Sequence, residues 1–376
     1  MNGINPATRR VLRSISAVWL ISLSCVLLPW LAHAQQTQVI VWGINLAGQY
    51  DVPASLTNAT AIAVNGYSLA ALRADGSVAE WGNGAQDPGV SNLVSITTGW
   101  SHGLGLRSDG SIVGWGDNSY GEITVPAGLT NAIALAASSY FSYALRPDGT
   151  VLGWGDNPSG VLNAPPGLSN VVSIAAGEYT VLALLADGTV VEWGDWTPPA
   201  GLSNVVAIAA GNGIYEALLF DGAVVTWGVY TPDPVDVTNV TAVAAGGGHA
   251  LSLHPDGTVS AWGCDCGGAI AVPASLTNVV AIAAGGSDGY DLSMALIGLP
   301  HPPPPALSIG LRNNVVTLNL AGAIRRHYVI EQTTVLGPNA QWTFAQNVLL
   351  GASPQPVFPL TGDNAGARFY RARLIP

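Results

Sequence analysis

VVSIAAGEYTVLALLADGTVVEWG, Val171 to Gly194, is the stretch on which the fold turns. One apolar run ends in Ala175-Ala176-Gly177, a second leads to Asp187-Gly188, and a β-branched run closes on Trp193-Gly194. Asp-Gly between two such runs is a hairpin signal, one that wants positive φ at both turn positions. Gly at each boundary and the two-residue turn rule against a helical repeat, so the unit is a small antiparallel sheet.

Outward from this unit the pattern recurs. Trp-Gly occurs at Trp42, Trp81, Trp115, Trp154, Trp193, Trp227 and Trp262, at intervals of 39, 34, 39, 39, 34 and 35 residues. Self-similarity at that period marks a repeat architecture. Asp-Gly stands six residues before six of these Trp, and an apolar residue (Ile62, Ile96, Leu135, Ile174, Ile208, Val243) stands 13 before each Asp. Only the stretch from Trp to the next such residue varies, at 15, 16 or 20 residues, so insertions are confined to one connection. Ala-rich strands suit the crowded centre of a propeller, and Trp supplies bulk between neighbouring sheets, about 150–250 Å² each when covered. The first Trp-Gly strand, VIVWG at 39–43, lacks an Asp-Gly strand before it, and the last Ala-rich strand, Val279 to Gly285, continues to SMAL at 293–296 with no Trp-Gly after it. The two ends complement each other. The fold expected is all-β: a seven-bladed β-propeller closed by the N-terminal strand, leaving no exposed edge.

Composition agrees. The 376 residues include 46 Gly and 25 Pro, too many for a helical bundle, and 49% are apolar against 9% charged, which favours a large core over disorder. There is no Lys; the 12 basic residues are all Arg, set against 23 acids for a net charge of −11. A nucleic-acid phosphate track has little to be built from, and no nucleic-acid partner is expected. Arg9, Arg10 and Arg13 precede an apolar run from Ile15 to Leu31 and then Ala32-His33-Ala34, the pattern of a secretory signal peptide over residues 1–34. An uncleaved membrane anchor is the rival reading of that run. With cleavage the chain is secreted or held at the cell surface, without a membrane span. Residues 35–299 then form the propeller, with 3 Arg against 21 acids; 300–305 are a Pro-rich linker; 306–376 are a C-terminal β domain, with 6 Arg against 2 acids.

Segments such as VVAIAAG, SIAAGEYTVLALLADGTVVEWG and VAAGGGHALSLHPDGTVSAWG resemble regulator-of-chromosome-condensation repeats, and the likeness covers about residues 39–299. The resemblance implies a seven-bladed propeller. The family's eukaryotic namesake is a nuclear guanine-nucleotide exchange factor, but a signal peptide places this chain away from such a GTPase, and no long insertion projects from a blade as a wedge. The short repeat, with WGDNSYGEITVPAGLTN between blades, is similar to the secreted bacterial β-lactamase-inhibitory propeller, a protein-binding module.

Strand direction sorts the loops onto two faces. Those after Ala-Ala-Gly and after Trp-Gly share one, and the Asp-Gly turns, each with Arg73, Arg107 or Arg146 two residues before it in three units, occupy the other. The first face keeps Asp117, Asp156 and Asp195 without basic partners, together with Glu178, Asp265 and Asp288. Four or five residues after the reference apolar position it carries Tyr67, Trp100, Tyr140 and Tyr179, with Phe141 beside Tyr140; Gly213, Gly248 and Ser287 leave the last three units bare. Trp and Tyr are enriched where binding energy concentrates, and in the inhibitor-like relatives the corresponding loops carry contact aromatics. The expected site is therefore this aromatic arc, binding a protein or a glycan; the alternative is that the rings fold inward against the next blade.

Other chemistry is thin. His102 and His249 recur at one repeat position and read as structural; no nucleophile elbow, phosphate-cradling loop or zinc signature appears, so neither a cofactor nor a metal is expected. Cys264 and Cys266, the Cys left after signal cleavage, favour a small disulfide over a metal site with outside ligands. The C-terminal strands LSIGL, VVTLNL, HYVIEQ and QWTF and the closing ARFYRARL read as a sandwich-like β domain, either a sorting module using Arg368, Arg371 and Arg373 or a spacer. It loosely resembles C-terminal modules of exported bacterial proteins. The function expected is a non-enzymatic, monomeric binding module. The rivals are a polysaccharide lyase or hydrolase with paired carboxylates near the channel and an architectural envelope protein.

Overall fold

The computed structural model describes residues 37–298 apart from 67, 83–86, 231–236 and 288, and beyond them six strands between 306 and 375. The signal segment, the Pro-rich linker, Tyr67 and Asp288 lie outside the described residues. Seven three-stranded antiparallel sheets form the propeller. The first consists of Ala59–Asn65, Ser68–Arg73 and Val78–Trp81, and the same inner, middle and outer order repeats in blades starting at Leu93, Ala134, Val171, Val205 and Ala242. Blade 7 takes its inner strand from Val279–Gly285, its middle strand from Leu292–Ile297 and its outer strand from Gln38–Gly43 at the other end of the sequence, with Trp42 opposite Ser293. The ring closes through that pairing, as the complementary ends require. Two more three-stranded antiparallel sheets, Ala306–Arg312, Val315–Ala321 and Gln355–Pro359, and His327–Thr333, Thr343–Leu349 and Phe369–Ile375, make up the C-terminal β domain. Among the described residues there is no α-helix, and none long and apolar enough to cross a membrane.

The Ala-rich strands are innermost. Ile62, Ile96, Leu135, Ile174 and Ile282 with their Ala neighbours line a central cavity of about 300 Å³. At its rim the backbones nearly touch: a Cβ on Gly99 would meet the Ser138 carbonyl, one on Gly177 that of Gly211, and one on Gly211 that of Gly246. Gly ends the inner strand because converging sheets leave no room for a side chain there.

The Asp-Gly turns depart from expectation. Only the glycines (Gly76, Gly110, Gly149, Gly188, Gly222, Gly257) have positive φ, and the turn is three residues long, closed by Arg73 N–H to the Ser77 carbonyl in the first unit. It is a type I turn with a bulge at Gly rather than a two-residue turn with both residues left-handed. Asp75 stays right-handed because its carboxylate accepts from the Ser77 amide (2.9 Å) and hydroxyl (2.7 Å), a pattern repeated at Asp109, Asp148, Asp187 and Asp256. The turn glycine's carbonyl in turn accepts from the next blade, as Gly149 does from Val171 N–H at 3.1 Å. These turns join blades as well as strands.

All seven repeat Trp are buried, at 4–8% exposed. Their indole N–H groups explain the two connection lengths. After a long connection, the backbone carbonyl seven residues beyond the previous Trp is the acceptor: Gln49 for Trp81, Glu122 for Trp154, Val161 for Trp193 and Ala269 for Trp42, at 2.7–2.9 Å. A short connection cannot deliver that carbonyl. In one such place a Glu before the previous Trp stands in, Glu192 Oε2 accepting from Trp227 at 3.1 Å, and Glu80 holds the equivalent place beside Trp115. Burial pushes the Glu192 carboxyl up to about 7, with the Trp227 bond pulling it back in part, and raises Glu80 in the same way.

Candidate functional site

The expected loop face is present. The amide after each Trp-Gly bonds back to the turn after the inner strand: Asp117 to the Ser101 carbonyl, Asp156 to Tyr140 and Asp195 to Tyr179, at 2.9–3.0 Å. Both loop sets are thereby held together, opposite the Asp-Gly turns. Arg73 lies on the Asp-Gly face, donating to Ser77 Oγ and the Val78 carbonyl and pairing with Asp87 at 3.8 Å.

Tyr140 and Tyr179 are exposed, at 37% and 41%. The connections contribute two more rings beside them, Tyr120 and Trp196, at 53% and 38%, and the Tyr120 and Tyr140 rings sit 5.1 Å apart at 57°. Phe141 is a correction: it is fully buried, because it opens the middle strand of blade 3 and its ring packs edge-on against Tyr143 in the interface with blade 4. Trp100 is half-buried with its ring against Gly66 of blade 1, so it follows the inward alternative more than the outward one. The last units are not bare either. Tyr230 and Tyr290 are exposed there, Tyr230 lying over Gly213. Tyr290 was hidden by a turn four residues longer in blade 7 than in the other blades, which also moves the start of the middle strand to Leu292.

The acids divide by role. Asp117 is exposed, and the Ser119 hydroxyl and the Asn118 and Ser119 amides bonded to it hold its carboxyl below the usual range. Asp195 is exposed and accepts from Ser159 Oγ of the neighbouring connection at 2.9 Å. Asp156 is half-buried and accepts from the Asn157 amide. Among the described residues lining the central cavity, Glu178 is the only acid.

One arrangement mimics a catalytic triad. His249 Nε2 lies 2.9 Å from Ser293 Oγ, and its Nδ1 lies 3.5 Å from Asp291 Oδ1. All three side chains are sealed from solvent and Ser293 Oγ donates to the Ala269 carbonyl at 2.8 Å, so no substrate atom can reach the hydroxyl. Blade 2 repeats the contact without the acid: His102 to Ser142 at 3.1 Å, and Ser142 to the Glu122 carbonyl at 2.8 Å. Burial drives the His102 imidazole down to about 4, so it is neutral at physiological pH. These His are latches between blades. Cys264 and Cys266 are disulfide-linked on the same loop face, after Trp262.

One face of the propeller thus carries loops with exposed aromatics and carboxylates. Residues 93–122 and 132–161 match the family model of the regulator of chromosome condensation (RCC1) repeat, so the second and third blades carry repeats of that type. No curated protein matches it by sequence. Solved structures share the fold. Prp20p of Saccharomyces cerevisiae, described together with its binding to Gsp1p and histones, is 18% identical with a TM-score of 0.57 over 71% of this chain and 92% of that one. Human WBSCR16 is 16% identical with a TM-score of 0.54, over 70% and 99%. The ectodomain of the Physcomitrella patens receptor kinase CR4 is 20% identical with a TM-score of 0.50, over 75% and 87%.

Proposed function

We propose that the chain is an exported, non-enzymatic binding module that takes a protein or glycan partner on its loop face. The observation that carries this reading is the run of exposed rings Tyr120, Tyr140, Tyr179 and Trp196 across consecutive blades, beside Asp117 and Asp195. Exposed Tyr and Trp bring large contact area at low entropy cost and concentrate binding energy. Acids on this face with the propeller's Arg on the other repel nucleic acid and favour a neutral or basic partner. Prp20p, which has this fold, binds Gsp1p and histones, and the fold suggests protein binding here too. Export rests on the Arg-flanked apolar segment before residue 35, and the likeness of the repeats to exported inhibitory propellers is in keeping with it. Against an enzyme stands the cavity lining, in which Glu178 is the one acid among the described residues, whereas a glycosidase site takes two.

Replacing Tyr120, Tyr140, Tyr179 and Trp196 together by Ala tests the reading. Capture from culture supernatant and envelope fractions by the wild type is expected to yield a protein or glycan whose affinity falls at least about 100-fold in the variant, a loss of roughly 2.7 kcal/mol. Equal capture by both proteins contradicts the assignment. The rings are exposed, so the thermal midpoint should change little, and a folded variant makes the comparison valid.

A further inference from the structure

The junction of blades 6 and 7 gathers side chains that the aromatic arc does not use. The long blade 7 turn ends in Asp291, whose carboxylate is fully buried. Its Oδ1 accepts from the Gly248 amide at 3.2 Å and faces His249 Nδ1 at 3.5 Å; among the described residues its Oδ2 and that Nδ1 have no hydrogen-bond partner. Space for this carboxylate is made in blade 6 by Gly247, where a Cβ would strike Oδ1. Gly248 also fixes the opposite wall, since its carbonyl accepts from the Cys264 amide at 2.8 Å. The two Cys sulfurs and an Asp291 carboxylate oxygen all lie within 4.8 Å of one another, with both Cys half-buried. A fully buried carboxylate within 4.8 Å of two sulfurs, with one of its oxygens lacking a donor among the described residues, is costly unless something positive shares the space.

We propose that, once the Cys264–Cys266 disulfide is reduced, Cys264 Sγ, Cys266 Sγ and the Asp291 carboxylate form a three-donor site for a thiophilic divalent cation of the zinc class. Two electrons from a reductant open the S–S bond to two thiols: a dithiol supplies the two protons itself and becomes a disulfide, and a phosphine becomes its oxide with one water supplying the oxygen and both protons. The cation then displaces both thiol protons to solvent and is held by two thiolates and a carboxylate. Tetrahedral zinc with Zn–S near 2.3 Å sets its donors about 3.5–3.8 Å apart, so the two sulfurs must move apart once the disulfide opens, while the carboxylate already lies within 4.8 Å of both. The half-buried Cys leave the fourth position on the solvent side. The disulfide and the metal exclude each other, so the site reports redox state on the recognition face.

Anaerobic titration of the phosphine-reduced chain with Co²⁺, followed by Zn²⁺ competition, tests this. One Co²⁺ per chain is expected, with a thiolate-to-cobalt charge-transfer band that Zn²⁺ abolishes, while the oxidised chain shows none. Asp291→Asn and Cys266→Ser are each expected to weaken binding at least tenfold. Reduced and oxidised chains binding alike, or Asp291→Asn binding as tightly as the wild type, overturns the site. Should Asp291→Asn not fold, as judged by Trp fluorescence, Cys266→Ser decides alone: wild-type affinity in that variant overturns the proposal equally.

Discussion

Gly211→Ala is expected to cost the folded state about 3 kcal/mol or more, the upper end of what one added methyl does in a packed interior. The new Cβ would run into the Gly246 carbonyl of the next inner strand. The obstacle is backbone, which cannot rotate away as a side chain can, and Gly211 N–H is already bonded to the Ile214 carbonyl while Asn212 N–H is bonded to Gly246. Relief would require spreading two blades at the narrowest part of the ring. Gly128→Ala serves as the control. That glycine has φ near +85° in a connection with nothing within 4 Å of the added carbon, so it meets only left-handed strain, about 1–2 kcal/mol. Urea unfolding of both variants measures the difference. Equal losses would mean that crowding at the channel rim is not what fixes Gly at the end of the inner strand.

Glu216→Leu is expected to act in the opposite direction, raising stability by about 2–3 kcal/mol at pH 8, the range set by relieving a buried polar group without partners. Glu216 lies in the middle strand of blade 5 and is fully buried, with both carboxylate oxygens unpartnered among the described residues. Leu104, Leu182 and Leu251 hold the same register in blades 2, 4 and 6, so the Leu fits the local packing. In blade 3 the place belongs to Tyr143, whose hydroxyl donates to the Val161 carbonyl at 2.7 Å and accepts from Trp193; Glu216 has no such circuit.

The gain should depend on pH in a definite direction. Burial raises the Glu216 carboxyl well above its ordinary value, so the native state holds that proton more tightly than the unfolded chain does. Stability is then full below the unfolded value near 4.5 and falls as pH rises. Glu192, raised to about 7, adds a loss of the same sign over the interval from 4.5 to 7. Thermal midpoints at pH 5 and pH 8 should therefore show Glu216→Leu gaining more at the higher pH, and Glu192→Gln narrowing the wild type's decline. A gain of Glu216→Leu that is unchanged between the two pH values would contradict an ionisable, isolated carboxyl at position 216.

Much of this architecture is legible in the chain because a repeat compares itself. Trp-Gly and Asp-Gly at fixed separation reveal the blade, and the unmatched VIVWG and Val279–Gly285 reveal how the ring closes. Connection length was legible as well, but its meaning was not: the Trp indole acceptors switch between a backbone carbonyl at Val161 and a Glu192 carboxylate, a choice visible only when Trp193 and Trp227 are placed against the preceding blade. Spacing alone misplaced or missed several rings of the site. Phe141 adjoins an exposed Tyr but alternates to the other side of its strand, into the core. Tyr290 escaped because an insertion breaks the count in blade 7, and Tyr120 and Trp196 because connections vary in length and carry no reference position. The conformation of Asp in its turn was set by a side-chain bond to the residue two positions on, which the Asp-Gly pair does not display.

Hydrogen exchange of the protein with and without its captured partner tests the recognition face most directly. Protection is expected in the loops around Tyr120, Tyr140, Tyr179 and Trp196, with the Asp-Gly turns at Gly76, Gly110 and Gly149 unchanged. Protection concentrated in those turns or in the strands between 306 and 375, with the aromatic loops unaffected, would contradict the account.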